Sequence, residues 1–336
     1  MTKHTIVLIP GDGIGPEVTN ATKRVVSAAG LSVDWVELPA GAAAIEQGFD
    51  SVLPERTLAA IRAHKVALKG PVTTPVGKGF TSVNVQLRKK LNLYAAVRPV
   101  RSLAGVKTRY ENVDMIIVRE NTEGLYSGIE NEVVPGVVTS MKVASEAACT
   151  RIARYAFRYA TKRKRKKITV FHKANIMKLT DGMFLNSARK IYEDEYPNIE
   201  YEEVIIDAGC MKLVQNPDRM DVLLMENLYG DLVSDLCAGL VGGLGVVPGS
   251  NIGDDAAVFE AVHGSAPDIA GKGIANPLAL VMTAEMMIHH IGEHAVADKI
   301  RKGYDAVLAE GSVKTKDLGG SATTEQFADG IIAKMG

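Results

Sequence analysis

Cysteine is scarce and scattered in this chain. Cys149, Cys210 and Cys237 are the only three among 336 residues, too few and too far apart for a disulfide framework or a cysteine zinc site. That fits a reducing compartment. Nor is there any excess of charge. Lys+Arg and Asp+Glu both number 39, so no global field singles out nucleic acid or membrane as a partner. The most apolar late stretch, Leu278 to Ile291, is too short for a membrane span and contains Glu285. The opening, Met1 to Ile9, runs straight into a strand pattern with no signal-peptide or transit-peptide layout. A cytoplasmic location is the expectation. No internal repeat, low-complexity tract or flexible linker appears, so the domains are expected to share strands.

What is present is an ordinary globular balance, 46% hydrophobic and 23% charged, with length enough for about two domains. Strand Thr5–Ile9 leads through Pro10-Gly-Asp-Gly-Ile-Gly15 into a helix opened by Pro16. Val18, Ala21, Val25 and Ala28 share one face of that helix, and Gly30 stops it. Leu31, Val33 and Trp35 alternate as a strand, a helix spans about Pro54 to His64, and Val66–Lys69 is the next strand. This β-α-β rhythm predicts an α/β fold with a mostly parallel sheet covered by helices on both faces. The glycine turn does not have G-x-G-x-x-G spacing, and no acid ends the second strand at the right place. It is a tight turn and not a Rossmann fingerprint.

The chemistry starts from Glu226 to Leu240, which follows the apolar strand pattern Asp221–Met225. Asp231 and Asp235 fall four apart on one helical face. Leu232, Val233, Leu236 and Leu240 make the segment apolar, so the two acids need a partner. Oxygen-only ligands suit a hard cation, Mg²⁺ or Mn²⁺. Asp207, after the apolar run Val204–Ile206, is a third candidate ligand. Arg98 and Arg119 lie at ends of apolar segments. Arg88 sits on a predicted helix Thr81–Leu91, near the face of Asn84, with Ser82 placed to cap it. Three such arginines suit a multiply charged carboxylate, since guanidinium grips carboxylate in a two-pronged fork. Tyr126 stands just beyond Arg119, and Lys173 follows strand Ile168–Phe171, where a lysine beside acids can act as a base.

Further stretches have blander readings. Gly70–Gly79 has the composition of a phosphate cradle. Ile129 to Val143 reads as a β-hairpin turning at Pro135-Gly136. The basic run Lys162–Lys167 closes a helix from Ser145 and reads as a solvated helix end, in preference to a nucleic-acid patch. Small residues around His263 would let a flat ring approach the backbone, as any turn does.

Several long strings then carry a resemblance: Ser82-Val-Asn-Val-Gln-Leu-Arg88, Arg119-Glu-Asn-Thr-Glu-Gly124, His172-Lys-Ala-Asn175, Asn227-Leu-Tyr-Gly-Asp231 and His263-Gly-Ser-Ala-Pro-Asp-Ile-Ala-Gly271. End to end, the chain resembles the β-decarboxylating dehydrogenases, the family of isocitrate, homoisocitrate and 3-isopropylmalate dehydrogenases. The resemblance implies an α/β fold that is not Rossmann. A large domain takes residues 1–93 and 242–336, and a small one takes 94–241, with a clasp hairpin at about 124–146 that locks two subunits into a homodimer.

The same resemblance assigns roles. Arg88, Arg98 and Arg119 bind substrate carboxylates, and Ser82 and Asn84 hold the carboxylate that distinguishes isocitrate. Asp231 and Asp235 from one subunit, with Asp207 from the other, surround the metal. Lys173 of that other subunit helps to remove the hydroxyl proton, and Tyr126 protonates carbon after CO₂ leaves. His263, Gly264, Ser265, Ala266, Asp268, Ile269 and Asn276 hold the cofactor's adenosine half, with Ile14 and Thr74 on the nicotinamide side. NAD is the expected cofactor, because Asp268-Ile269 replaces the Lys and Tyr with which NADP-using relatives grip the 2′-phosphate. The activity implied is oxidative decarboxylation of isocitrate, as in the tricarboxylic acid cycle. Homoisocitrate is the nearest alternative, since one methylene discriminates weakly. A 3-isopropylmalate enzyme would want an apolar pocket where Ser82 and Asn84 stand, and a non-catalytic regulatory subunit would not need the whole residue set.

Overall fold

The computed structural model describes residues 3–74 and 81–336. In chain order it gives β1 (His4–Ile9), α1 (Gly15–Ala28), β2 (Val33–Glu37), α2 (Ala42–Glu46), α3 (Glu55–His64), β3 (Val66–Lys69) and α4 (Val83–Lys90). There follow β4 (Ala95–Arg101), β5 (Asp114–Glu120), the pair β6 (Gly124–Val134) and β7 (Val137–Val143), α5 (Glu146–Lys162) and β8 (Lys167–His172). Then come α6 (Thr180–Glu195), β9 (Glu200–Ile205), α7 (Ile206–Gln215), β10 (Val222–Met225) and α8 (Asn227–Val241). The chain closes with β11 (Pro248–Ile252), β12 (Ala257–Ala261), α9 (Leu278–His290), α10 (His294–Glu310) and α11 (Thr324–Lys334). The architecture is α/β, as the strand–helix rhythm requires.

Two compact units divide these elements. One comprises 1–91, 102–109 and 241–336, and the other 92–101 and 110–240. In the first, strands lie in the order β2-β1-β3-β12-β11. β1, β2, β3 and β12 run parallel, and β11 is antiparallel to β12. α9 is apolar on every side and buried from Leu278 to Ile288, apart from one half-exposed methionine, so it serves as the central helix of that core. In the second unit the order is β4-β5-β10-β8-β9. β5, β10, β8 and β9 run parallel, with β4 antiparallel to β5. Parallel strands deliver the loops after them to the same end, where α/β folds place ligands. Residues after Ile9, Lys69 and Ala261 share one such end, and residues after Glu120, His172, Ile205 and Met225 share the other.

Some local expectations change. β2 begins at Val33, not Leu31, and Ala28 is exposed while Ala29 is buried, because α1 has turned its last apolar position by one residue. Ser82 is the N-cap residue of α4, but its hydroxyl makes no capping bond. The Thr74 hydroxyl oxygen accepts the Val83 N–H instead, at 3.2 Å. Ser145 does cap α5, which runs on to Lys162, so the basic run begins in its last turn. Leu232 is 63% exposed, against its expected place in an apolar face. It shares a helical face with Asp235, three residues on, whereas Val233, Cys237 and Leu240 form the buried one. Of the loop Gly70–Gly79, residues 75–79 lie outside the described residues.

Candidate active site

In the second unit, the end of β5 meets the head of α8. Arg119 is 1% exposed, and its guanidinium is held from two sides. Nε and Nη2 donate to Asn227 Oδ1 at 2.9 and 2.7 Å, and Nη1 donates to Asp231. The fit is tight enough to require glycine at 230, where a Cβ would stand 2.4 Å from Arg119 Cγ. Arg98 lies 3.6 Å from Asp231 and 3.0 Å from Asp235, and it donates to the Ser234 hydroxyl. The Tyr126 hydroxyl donates to the second oxygen of Asp231, and the Arg119 guanidinium lies 5.0 Å from the Tyr126 ring centre.

The electrostatics follow from these contacts. Burial alone would raise the Asp231 carboxyl. Arg119, the Tyr126 hydroxyl and Arg98 outweigh it and hold the group below the ordinary carboxylate range. The Tyr126 phenol is pushed up, first by burial and then by the hydrogen bond and charge of Asp231, with Arg119 opposing. Asp231 and Asp235 thus share oxygen-only chemistry suited to a hard divalent ion. Among the described residues of one chain, no three His, Cys, Asp or Glu side chains gather as a metal-holding group. The two carboxylates fit such an ion in their donor chemistry. Lys173 and Asp207 form their own pair at 2.6 Å, which draws the exposed Asp207 carboxyl down. Asp207 lies in the first turn of α7.

The first unit gathers the residues assigned to the cofactor. Ile14 N–H donates to Ser265 O at 2.9 Å, Asp12 N–H to Pro71 O at 2.7 Å, and Thr73 N–H to the Asp12 carboxylate at 2.6 Å. The Thr73 and Ser265 hydroxyls lie 2.7 Å apart. Gly13 has φ +60°, and any side chain there would strike Ser265 O at 2.0 Å, so glycine lets the two loops meet. Ala266 adopts φ +39°, and His263 Nδ1 contacts Gly264 O at 3.0 Å. His263 Nε2 is buried with no hydrogen-bond partner, and burial lowers the ring's basicity. Asp268 is exposed, and Ile269 and Gly264 border the same loop. Asn276 donates to Asp317 at 2.8 Å and accepts the Leu278 N–H at the start of α9. His263 Nε2 is thus an unmet polar atom in the loop that also carries the exposed Asp268.

Arg88 is buried in the first unit, 3.8 Å from Glu260, and Asn84 Oδ1 is buried without a partner. Sequence reasoning missed the companions. Lys69 and Glu260 pair at 2.8 Å, and Asn251 Nδ2 donates to Glu260 at 2.7 Å. A lone acid inside the fully buried strand Ala257–Ala261 was the available signal. Asp181, 2% exposed, was likewise missed.

Residues 5–331 match the isocitrate/isopropylmalate dehydrogenase family. The chain is 53% identical to isocitrate dehydrogenase [NAD] catalytic subunit 5, mitochondrial, of Arabidopsis thaliana, over 98% of this chain and 88% of that protein. It is 47% identical to isocitrate dehydrogenase [NAD] regulatory subunit 1, mitochondrial, of the same plant, over 99% and 90%. A crystal structure of isocitrate dehydrogenase from Methylococcus capsulatus superposes with a TM-score of 0.94 at 50% identity, covering 99% of both chains. The mitochondrial relatives overturn the expectation of a cytoplasmic protein, which rested on the scarce cysteines, the lack of a membrane span and the look of the first residues. The chain belongs to the isocitrate/isopropylmalate dehydrogenase family.

Proposed function

We propose that this chain is the catalytic kind of subunit. It would oxidise isocitrate with NAD and a divalent metal ion, Mg²⁺ or Mn²⁺, to give 2-oxoglutarate and CO₂. The observation that carries the reading is the Arg119–Asp231–Tyr126 cluster, in which a buried guanidinium and a high-pKa phenol share one open carboxylate. A regulatory subunit can be nearly as similar overall, at 47% identity. It has no need of this complete set of Arg, Tyr, Lys and Asp.

Arg88, Arg98 and Arg119 bind the carboxylates of the substrate, with Ser82 and the unpartnered Asn84 Oδ1 near the group that sets isocitrate apart. An isopropyl group there would leave Asn84 unmet, at about 1–3 kcal/mol. Lys173 takes the hydroxyl proton as hydride leaves the same carbon. The β-carboxylate then departs as CO₂, and Tyr126, whose phenol is protonated at neutral pH, delivers a proton to the carbon left behind. Asp231 and Asp235, with Asp207 of a second subunit, would hold a divalent ion, which would supply stabilisation of negative charge on substrate oxygen. His263, Gly264, Ser265, Ala266, Asp268, Ile269 and Asn276, with Ile14 and Thr74, hold NAD.

NADH formation measured side by side on isocitrate, homoisocitrate and 3-isopropylmalate tests the substrate. Isocitrate should win, excess chelator should abolish its turnover, and preference for either other acid would overturn the reading. The two units act as a large and a small domain, the β6–β7 hairpin clasps two copies, and Lys173 and Asp207 serve the neighbouring site. Mixing inactive Lys173→Met and Tyr126→Phe chains should then restore activity, because one of the two sites in the mixed dimer is whole. An active monomer would exclude this assembly.

A further inference from the structure

Asp181 opens α6 and is almost fully buried, so its charge has to be met by partners. An acid in a first helical turn is ordinarily explained by the free N–H groups there. Here, among the described residues, no backbone N–H of its own helix donates to it. Oδ2 accepts the Lys173 N–H at 2.7 Å, and Oδ1 takes the Lys142 ammonium. The carbonyl of Lys173 accepts from Ile176 and Met177, both at 2.9 Å, so both sides of that residue are fixed. Lys142 stands on β7, with Nζ 3.8 Å from Glu226 and 4.6 Å from the Tyr229 ring centre. Glu226 in turn accepts the Leu228 and Tyr229 N–H groups at the head of α8, the helix that carries Asp231 and Asp235.

We propose that Asp181 is a positioning residue for Lys173, acting through its hydrogen bond from the Lys173 N–H, with Lys142 serving to meet its buried charge. The proposal rests on the reading of Lys173 as the group that takes the hydroxyl proton. A lysine rooted in a loose turn would meet that proton less often. Less alkoxide would form, and hydride loss would become the slow step. The contacts of Asp181 itself are with Lys173 and Lys142 and not with the arginines that hold the substrate carboxylates, so substrate affinity should be spared.

Two double variants separate the acceptor at position 181 from its charge. Asp181→Asn with Lys142→Met removes both charges and keeps an acceptor for the Lys173 N–H. Asp181→Leu with Lys142→Met removes the same charges and the acceptor, filling the space with apolar side chains, a replacement buried ion pairs often tolerate. Thermal unfolding of both confirms folded protein. The readouts are kcat, KM for isocitrate, and the primary isotope effect on kcat with isocitrate deuterated at the carbon that loses hydride. The Leu variant should lose about tenfold or more in kcat at near-constant KM, with the isotope effect raised. The Asn variant should stay within about threefold of wild type on both. A merely structural loss lowers the active fraction and leaves the isotope effect alone, so an unchanged isotope effect in the Leu variant overturns the proposal. Wild-type protein inactive on isocitrate would instead overturn the functional reading, and the role of Lys173 with it.

Discussion

Two clusters in this molecule are made of the same parts. Around Glu260 stand Lys69, Arg88 and the amide of Asn251, and around Asp231 stand Arg119, Arg98 and the amide of Asn227, bonded through Arg119. Each is one carboxylate, two cations and one asparagine. They differ in openness. The Glu260 side chain is 10% exposed and that of Asp231 34%. Burial pushes Glu260 up, yet Lys69 and Arg88 drive its pKa down to about 2. Its hydrogen-bonding capacity is spent inside the protein, so it can stabilise and do little else. Asp231 spends both oxygens on Arg119 and Tyr126 but faces solvent, where a ligand can exchange with those partners. Charge composition alone does not mark a site; an open side on a charged cluster does.

The comparison predicts that the open carboxylate matters to turnover and the closed one to stability. Asp231→Asn should cut kcat roughly a thousandfold or more, about 4 kcal/mol, while unfolding stays close to wild type. Arg119 keeps Asn227, and the amide keeps the shape. Steady-state kinetics and a thermal melt decide it. Retained turnover with a collapsed melt would invert the roles of the two clusters.

Glu260→Gln should have the next largest effect, on the order of 3 kcal/mol of stability at neutral pH. The folded-state pKa, at about 2, lies below the ordinary 4.5. The contribution is therefore fully present above about pH 4.5 and fades as pH falls toward 2. Denaturant unfolding of both proteins at stepped pH should show the gap between them shrinking on acidification. A gap that stays constant down to pH 3 would mean that the Glu260 charge is not what stabilises this cluster.

Much of this was legible from local pattern. Short apolar runs such as Val66–Lys69 and Asp221–Met225 fall on β3 and β10, because buried parallel strands need little more than apolar continuity. The i,i+4 spacing of Asp231 and Asp235 announced their need for cations, and Arg98 meets both. Partners distant in sequence were not legible. Lys69 and Glu260 are 191 positions apart and meet only because β3 pairs with β12. Ser82 sits where a cap belongs, yet Thr74 supplies the bond from a loop outside the helix. Leu232 adds to the apolar character of its segment but lies 63% exposed, because composition ignores which face a residue occupies. Asp181 carried no signal at all, since its partners lie on β7 and in the turn after β8.

The smallest effect concerns the loop after β12, where Asp268 is an exposed acid. Among the described residues, no ion pair or hydrogen bond engages the exposed Asp268 carboxylate. It can accept hydrogen bonds from ribose hydroxyls, and it would repel a 2′-phosphate carrying close to two negative charges. If that repulsion sets the preference, the wild-type chain should favour NAD over NADP by roughly 100-fold in kcat/KM. Asp268→Asn keeps a ribose acceptor and removes the charge. It should lower the NAD-to-NADP ratio about tenfold, near 1.4 kcal/mol, chiefly by improving NADP. Exposure to salt-containing solvent caps the effect, which is why it ranks below the two buried carboxylates. Kinetics with both cofactors at two ionic strengths give the answer. The charge account requires the wild-type ratio to fall as salt rises and the Asn ratio to stay nearly flat. Equal salt dependence in the two proteins would assign the selectivity to shape, with Ile269 filling the space, and not to the charge of Asp268.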